Sequence, residues 1–230
     1  MFLLDTHVHT AEVSVCGHVP AREMVKRYRR AGYDGIVVTD HYHQEYFKRQ
    51  PGDWRSKAER YLRGYRAAKA AGDRLGLRVY LGMEWRNEYA PNDYLIFGID
   101  EGFVLENPAL YRYSLRELRP LIEENHLLLY QAHPFRPHMT LPERDGLLDG
   151  VEAFNGNPRH HSRNELALSY AKRHRLLISS GSDAHEVGDV GIGGMLLDRE
   201  PADERELVSL LPSGRIKQWQ QNKANNEAAE

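Results

Sequence analysis

The sequence predicts an α/β fold in a single domain, with a mostly parallel sheet that closes, or nearly closes, into a barrel. Two observations predict this fold class. About seven short apolar runs, each typical of a buried strand, alternate with segments of helical periodicity along the 230 residues. Five of these runs end in a His, Asp or Glu. Because strand carboxyl ends share one mouth in α/β barrels, we expect these polar residues to converge there.

The strands follow from the apolar runs, and the helices from the amphipathic segments between them. Strands are predicted at residues 2–4, 35–38, 77–83, 94–98, 127–132, 150–154 and 176–179, with a short last one at 195–197. Helices are predicted at residues 21–31, 56–75, 114–124, 162–174 and 203–211.

Local signals support these boundaries. Gly32 ends the first helix, and Ser56 is a candidate N-cap of the second. Ser114 and Glu117 form the capping-box pattern at the start of the third helix. Residues 42–56 are aromatic and basic, and this segment is long enough to form a lid over the mouth.

Composition narrows the class of protein. Hydrophobic residues make up 41% and charged residues 28% of the chain, which is enough for a globular core. The net charge of −2 gives no electrostatic reason to bind nucleic acid or an anionic membrane surface. Cys16 is the one cysteine, so no disulfide forms within the chain and a reducing compartment is favoured. Asp5 interrupts the first apolar run, which argues against a signal peptide. We therefore expect a cytoplasmic protein without a membrane partner.

Two histidines close the first strand and give the first indication of function. Side chains alternate along a strand, so His7 and His9 point the same way. Two imidazoles on one face make a metal clamp. Further candidate ligands follow the other apolar runs, and together they exceed what one tetrahedral zinc ion needs, which favours two or three ions. These further candidates are His41, Glu84, His133, Asp183 and His185.

Five motifs in this order resemble the polymerase-and-histidinol-phosphatase (PHP) superfamily of metal-dependent phosphoesterases. The resemblance covers residues 1–215 and leaves 216–230 as a polar tail. It implies a distorted, TIM-barrel-like (β/α)7 barrel with a trinuclear site for zinc, manganese or iron. The motifs are His7-Val8-His9, Thr39-Asp40-His41, Leu81-Gly82-Met83-Glu84, Ala132-His133-Pro134 and Ser182-Asp183-Ala184-His185.

The resemblance also implies how the ligands are shared. One ion would be held by His7, His9, Glu84 and Asp183. Glu84 would bridge to a second ion, which His133 also holds, and His41 and His185 would hold the third. Asp5 and Asp40 match positions that orient ligands.

Two ligand positions depart from the family pattern. Where the family often has a histidine before the strand at 94–98, this chain has Asn92-Asp93. Asp93 is therefore the predicted substitute ligand of the second ion, with a role as a turn cap as the alternative. The last ligand of the third ion should come from the loop after His9. Glu12 is preferred because it lies three residues from His9, while Cys16 and His18 remain candidates.

The predicted activity is hydrolysis of a small phosphate ester, with a phosphomonoester favoured. Two ions about 3.5–4 Å apart that share a water lower its pKa and direct it at phosphorus as a bridging hydroxide. Glu84, Asp183 and His185 are the predicted catalytic residues, and His185 would protonate the leaving alkoxide. Arg136 and a loop after the strand at 150–154 are expected to bind the phosphate. The loop residues are Asn155, Arg159 and His160.

Two other readings remain open. Amidohydrolase barrels also begin with a histidine pair, but they often bridge their metals with a modified lysine, and no lysine ends a predicted strand here. A non-catalytic metal-binding or interaction domain is the alternative from a different class. The expected partner is a small phosphorylated molecule, and a nucleic acid is expected only as a nucleotide substrate.

Overall fold

The computed structural model describes residues 1–143 and 146–218. Ten strands contribute to the sheet: β1 Phe2–Val8, β2 Gly35–Val38, β3 His41–Tyr42, β4 Arg78–Trp85, β5 Tyr94–Phe97, β6 Leu128–Gln131, β7 Gly150–Asn155, β8 Leu177–Gly181, β9 Met195–Leu197 and β10 Arg215–Ile216. The α-helices are α1 Ala21–Arg30, α2 Gln44–Arg49, α3 Trp54–Tyr61, α4 Arg63–Leu75, α5 Glu101–Glu106, α6 Leu115–Glu124, α7 Asn164–His174 and α8 Glu204–Leu210.

The sheet curves into a nearly closed barrel, which confirms the predicted fold class. Its strand order is β10-β9-β1-β2-β4-β5-β6-β7-β8, and β3 pairs with β4. A parallel bridge between Val8 and Ala184 links the end of β1 to the segment after β8. Seven strands therefore surround the barrel, while β9 and β10 extend the sheet outward from β1 as antiparallel neighbours.

One barrel strand runs against the direction that the sequence predicted. β5 is antiparallel to both β4 and β6, whereas the other neighbouring strands around the barrel pair in parallel. The cause is the connection from β4 to β5, residues 86–93, which is shorter than the dozen or so residues that a parallel crossover needs. This reversal is the distortion of the barrel.

Apolar side chains pack on both faces of the sheet. On β5, Tyr94 and Ile96 belong to one core cluster, and Leu95 and Phe97 belong to the other. This alternation with a period of two is what a strand that is buried on both faces requires. Leu207 in the middle of α8 joins the second cluster, so α8 covers that face. Apolar side chains therefore cover both faces of the sheet at β5.

Several helices match their predicted boundaries, and two regions differ. The capping box of α6 is present, since Ser114 and Glu117 bond each other's backbone. The predicted lid at 42–56 instead contains β3, α2 and the start of α3. The helix predicted at 56–75 is divided at Leu62 into α3 and α4. Of the predicted polar tail at 216–230, residues 219–230 lie outside the described residues.

The length and the composition of the helices decide whether any of them could cross a membrane. Within residues 1–143 and 146–218, none of the helices combines the length and the apolar composition that crossing a membrane requires.

Candidate metal centre

Five strands, β1, β3, β4, β6 and β8, deliver the candidate ligands to one mouth of the barrel. His7 and His9 come from the end of β1, and both are fully buried. The parallel pairing of β3 with β4 sets His41 directly beside Glu84. His133 follows β6, and Asp183 and His185 follow β8. His133 and Asp183 both have positive φ, of 30° and 52°. Such backbone is strained for residues other than glycine, and strain of this kind concentrates at functional sites.

The predicted ligands form three adjoining groups, in each of which one ligand atom per residue lies within 4.8 Å of the others. The inner group is Glu84, Asp93 and His133. The middle group is His7, His9 and Glu84, and the outer group is His9, His41 and His185.

Glu84 and Asp183 connect these groups. Glu84 Oε1 lies 3.2 Å from His133 Nε2, and Oε2 lies 3.4 Å from His9 Nε2. Asp183 Oδ1 lies 3.5 Å from His7 Nε2 and 3.4 Å from His9 Nε2. The predicted ligands of the first two ions are thus brought together, and the predicted bridging carboxylate lies between them.

The donor atoms fit divalent cations. Glu84 Oε2, His41 Nδ1 and His133 Nδ1 are buried without a hydrogen-bond partner among the described residues. Glu84 Oε2 and His41 Nδ1 lie 2.6 Å apart without the direction of a hydrogen bond. His7 Nε2 and His9 Nε2 lie 3.0 Å apart. His133 meets Glu84 through Nε2, so its Nδ1 lies on the far side of the ring. Buried polar atoms are rarely left unpaired, and divalent cations would satisfy the atoms of Glu84, His41, His7 and His9.

Further polar side chains hold the imidazole rings in place. His7 Nδ1 lies 3.0 Å from Glu152 Oε1, and His9 Nδ1 lies 3.0 Å from Ser14 Oγ. Ser14 Oγ in turn donates to Asp40. Asp5 accepts the backbone N–H of His7 at 3.1 Å. Partners of this kind fix the orientation of metal-binding histidines.

The surroundings shift the pKa values of His7 and His9 in opposite directions. Burial lowers the pKa of His7, but the charges of Asp183, Glu152 and Glu84 outweigh it and raise that pKa well above its usual value. Burial also lowers the pKa of His9, and His185 and His41 lower it further. Burial acts to raise the pKa of Asp183, yet His7 and other positive neighbours bring it well below its usual value. The carboxylate of Asp183 is therefore favoured in its ionised form. The neighbouring imidazole of His9 is favoured in its neutral form, which keeps a lone pair.

A cavity of about 690 Å³ opens above these groups. Its floor includes donors of the inner and outer groups, and its rim combines cationic, anionic and apolar side chains. The rim residues include Val13, Val15, Tyr46, Arg49, Met139, Arg159, His160 and Glu186.

The four residues predicted to bind substrate take different positions. Arg136, Arg159 and His160 line the cavity. Arg136 is buried, and it donates to Asp183 at 2.6 Å and to Asn155 at 3.0 Å. Asn155 also donates to Glu152 and Asp183, and so it lies behind the cavity wall rather than on it. Arg159 makes a bidentate pair with Asp189 at 2.6 and 2.8 Å, which fixes the loop that carries His185.

The structure places the preferred third-ion ligand elsewhere. Glu12 is exposed, and its carboxylate accepts the backbone N–H of Ala21 at 3.0–3.1 Å. The reason is local: Pro20 precedes α1 and its side chain cannot cap that N–H, so Glu12 does so. His18 is 67% exposed and lies 3.5 Å from Glu186. Cys16 Sγ, by contrast, lies 3.1 Å from His41 Nε2.

Asp93 lies in the inner group, as its predicted role as a substitute ligand requires. Its carboxylate oxygens accept two hydrogen bonds from Arg86, at 2.7 and 2.6 Å, and Oδ2 lies 3.8 Å from His133 Nε2. His43 Nε2 lies 3.2 Å from Oδ1. The side chain therefore faces the inner group and does not cap a turn.

Two residues that contact the candidate ligands, Glu152 and His43, were not predicted from the sequence. The sequence nevertheless contains a signal for each of them. Glu152 contacts both His7 and the backbone N–H of His133 at 3.0 Å. A carboxylate in the middle of the apolar run at 150–154 is costly unless it is paired, and this cost is the signal. His43 forms a further group with His41 and Glu84. The triplet His41-Tyr42-His43 repeats the spacing of His7 and His9.

The chain resembles known proteins in sequence over one segment and in fold over most of its length. A family model described as PHP-associated matches residues 161–216. No curated protein matches the sequence.

Solved structures match at low identity over most of the chain. The first is a two-domain protein from Bacteroides vulgatus ATCC 8482 that contains a predicted PHP-like metal-dependent phosphoesterase. It is 16% identical over 94% of this chain and 64% of its own length, with a TM-score of 0.70. A lesion-specific endonuclease from Pyrococcus furiosus is 15% identical over 94% of this chain and 57% of its own, with a TM-score of 0.59. An amidohydrolase from Chromobacterium violaceum is 18% identical over 82% of this chain and 89% of its own, with a TM-score of 0.54.

At these identities the structural likeness is one of fold, and this chain spans less than two thirds of the first and second of these proteins. The PHP-associated match adds a sequence relationship over the last part of the barrel. The chain therefore shares the fold of these proteins, and over residues 161–216 it is similar in sequence to the PHP-associated family.

Proposed function

We propose that this protein is a metal-dependent phosphoesterase that hydrolyses a small phosphate ester, with a phosphomonoester as the favoured substrate. The observation that carries the proposal is the convergence of three ligand groups, joined through Glu84 and His9, on the floor of an open cavity. A purely structural metal site would be closed by protein ligands, whereas a catalytic site keeps an open side.

The residues of the three groups would hold two or three divalent ions of zinc, manganese or iron. Divalent cations held there neutralise the phosphoryl oxygens and acidify a water for attack on phosphorus. Glu84 and Asp183 place negative charge between the imidazoles and so raise the affinity of the groups for cations. His7, Glu84 and Asp183 are almost completely buried, which strengthens these electrostatic interactions.

Side chains at the cavity wall would orient the substrate. Arg136 pairs with Asp183 through one nitrogen, while its Nε is buried without a partner among the described residues and can donate to a phosphoryl oxygen. His160 adds a partly exposed imidazole to the wall.

His185 is the residue that we assign to the side of the leaving oxygen. Its Nδ1 donates to the backbone carbonyl of Asp183 at 2.9 Å, so Nε2 is the nitrogen left to hold an ion. A proton for the leaving oxygen would then come from a water beside His185.

The size of the cavity supports a small substrate. A volume of about 690 Å³ falls within the range of roughly 300–1,000 Å³ that is typical of small-molecule sites. The apolar rim residues Val13, Val15 and Met139 suit an apolar or aromatic leaving group.

An amidohydrolase is the second candidate, because one protein with this fold has that name. The residues of the site favour a phosphoesterase, since Glu84 lies between the inner and middle groups and none of the described residues that line the cavity is a lysine. Hydrolysis of an amide with no hydrolysis of any phosphate ester would favour the second candidate.

The test compares hydrolysis of an aryl phosphomonoester, an aryl phosphodiester and an aryl amide by protein loaded with zinc, manganese or ferrous iron. A His7→Ala, His9→Ala double variant should lose both bound metal and turnover. His174→Ala changes an exposed histidine on α7 and serves as the control. Wild-type protein that binds none of these metals would refute the proposal.

A further inference from the structure

The outer group has a sulfur atom at its open side. Cys16 lies in the loop between β1 and α1, and its Sγ is 3.1 Å from His41 Nε2. Cys16 and His185 line the same cavity. One imidazole of the outer group is therefore in direct contact with the sulfur, and a second shares its cavity.

We propose that Cys16 completes the outer group as a thiolate ligand, so that this end of the centre selects zinc or ferrous iron over manganese or magnesium. This inference rests on the proposed metal site and goes further by naming one ligand and the metal class that it favours.

The loop that carries Cys16 is held in place on both sides. Gly17 donates its backbone N–H to Ser14 O at 2.8 Å, and His18 donates its own to His185 O at 2.8 Å. A Cβ at Gly17 would lie 3.0 Å from Thr10 O, so the turn packs closely against the chain that follows β1. The backbone thus places the thiol beside the ligand His185.

The other two candidates from this loop are occupied elsewhere. Glu12 caps α1, and His18 is exposed beside Glu186. His9, His41 and His185 supply three nitrogen donors, and Cys16 supplies a fourth donor, as a tetrahedral ion requires.

Glu84 contacts the outer imidazoles on the side away from Cys16. Its Oε2 lies 2.6 Å from His41 Nδ1 and 3.4 Å from His9 Nε2. The two nitrogens of an imidazole point in different directions, so Nε2, at 3.1 Å from Cys16 Sγ, is the His41 atom that would share an ion with the thiol.

Donor chemistry then separates the two ends of the centre. The inner group contains two carboxylates and one imidazole, which hard ions such as manganese accept. A thiolate is a soft donor that favours zinc and iron. On binding, the Cys16 thiol exchanges its proton for the metal ion, and the proton is released to solvent.

Cobalt(II) provides a test that does not depend on turnover. Thiolate ligation gives cobalt(II) a charge-transfer band in the near ultraviolet, and Cys16 is the one cysteine of the chain, so the band has one source. We expect the band in the cobalt-loaded wild type and in a Val15→Ala control, together with its loss in Cys16→Ser. Bound cobalt should fall by about one ion per chain in Cys16→Ser.

Alkylation of the wild type gives an independent measurement should Cys16→Ser fail to fold. Bound zinc should slow the reaction of Cys16 with iodoacetamide by at least about tenfold, since the metal occupies the thiolate. Wild type that binds cobalt and hydrolyses esters, but shows no band and no protection from alkylation, would overturn the inference and leave the proposed function intact. Wild type that binds no cobalt or zinc at all would overturn both.

Discussion

The two ends of the metal centre differ in how the protein surrounds them. At the inner end Glu84, Asp93 and His133 are at most 2% exposed, and Arg86 and His43 pack against Asp93. At the outer end His185 is 8% exposed, His41 has an 18% exposed side chain, and Cys16 is at the surface. The inner end is therefore held by the protein, while the outer end is held by a surface loop and borders the cavity. The same fold thus combines a protected metal position with one that solvent and substrate can reach.

We expect the largest loss of turnover from a change to Glu84, which contacts ligands at both ends of the metal centre. Glu84→Gln keeps the volume but removes the charge that lies between the groups. We expect turnover to fall by more than about 100-fold, because changes to residues that only support metal ligands already cost 10–100-fold. Steady-state hydrolysis and metal analysis of the purified variant measure this loss.

Glu106→Gln is the matched control for that variant, since Glu106 is an exposed carboxylate at the end of α5. Turnover within twofold of the wild type in Glu84→Gln would show that the two ends do not share a bridging carboxylate.

The next effect separates the two ends. Glu152→Gln weakens the support of His7 and of the His133 backbone, both on the protected side. We expect metal affinity at that side to fall by about 10–100-fold, with the cobalt band of the outer end retained. Competition titration with a chelating dye gives the affinity. Equal loss at both ends would show that the two ends bind metal as one unit.

Arg136 tests the charge balance between the ends. Arg136→Met leaves Asp183 with one positive partner fewer in a buried site. We expect the free energy of unfolding of the metal-free protein to fall by about 3 kcal/mol, because removal of one partner leaves a buried charge uncompensated. Urea unfolding in the presence of a chelator measures this. Arg173→Met on the exposed face of α7 is the control. A variant as stable as this control would show that Asp183 does not depend on Arg136.

The smallest effect concerns the residue that the sequence placed at the outer end. Glu12→Ala removes the cap of α1 and should lower the free energy of unfolding by about 1 kcal/mol, the usual cost of losing a helix cap. Its metal content should equal that of the wild type, whereas Cys16→Ser should lose an ion. Loss of an ion in Glu12→Ala would return Glu12 to the third position.

The ligands that follow strands were the more predictable from sequence. His7, His9, Glu84, His133 and Asp183 all follow apolar strands, so alternation and strand order suffice to bring them together. Glu12 could not be placed in this way. Distance along the chain favoured it, but the unpaired N–H at the start of α1 attracts its carboxylate instead. The position of a loop side chain depends on such local competition for hydrogen bonds. The periodicity of the sequence carries no information about this competition.

The reversal of β5 has a similar origin. Apolar periodicity predicts that residues 94–97 form a strand, but it carries no information on strand direction. Connection length carries that information, since residues 86–93 are too few for a crossover. Asn155 shows the same limit at the level of the side chain, because loop position alone does not tell whether an amide faces the cavity or the groups behind it.

The position of β1 has a consequence for how the protein reaches its native state. β1 pairs with β2 and with β9, and its end is bridged to Ala184, so the first ligands meet their partners only when distant parts of the chain have come together. Contacts between residues so far apart in sequence make folding slow. A cation that needs His7 and Asp183 together cannot act as an early nucleus, and it binds once the barrel has closed. Metal release should therefore precede unfolding, and metal should act on the rate at which the chain opens rather than the rate at which it folds.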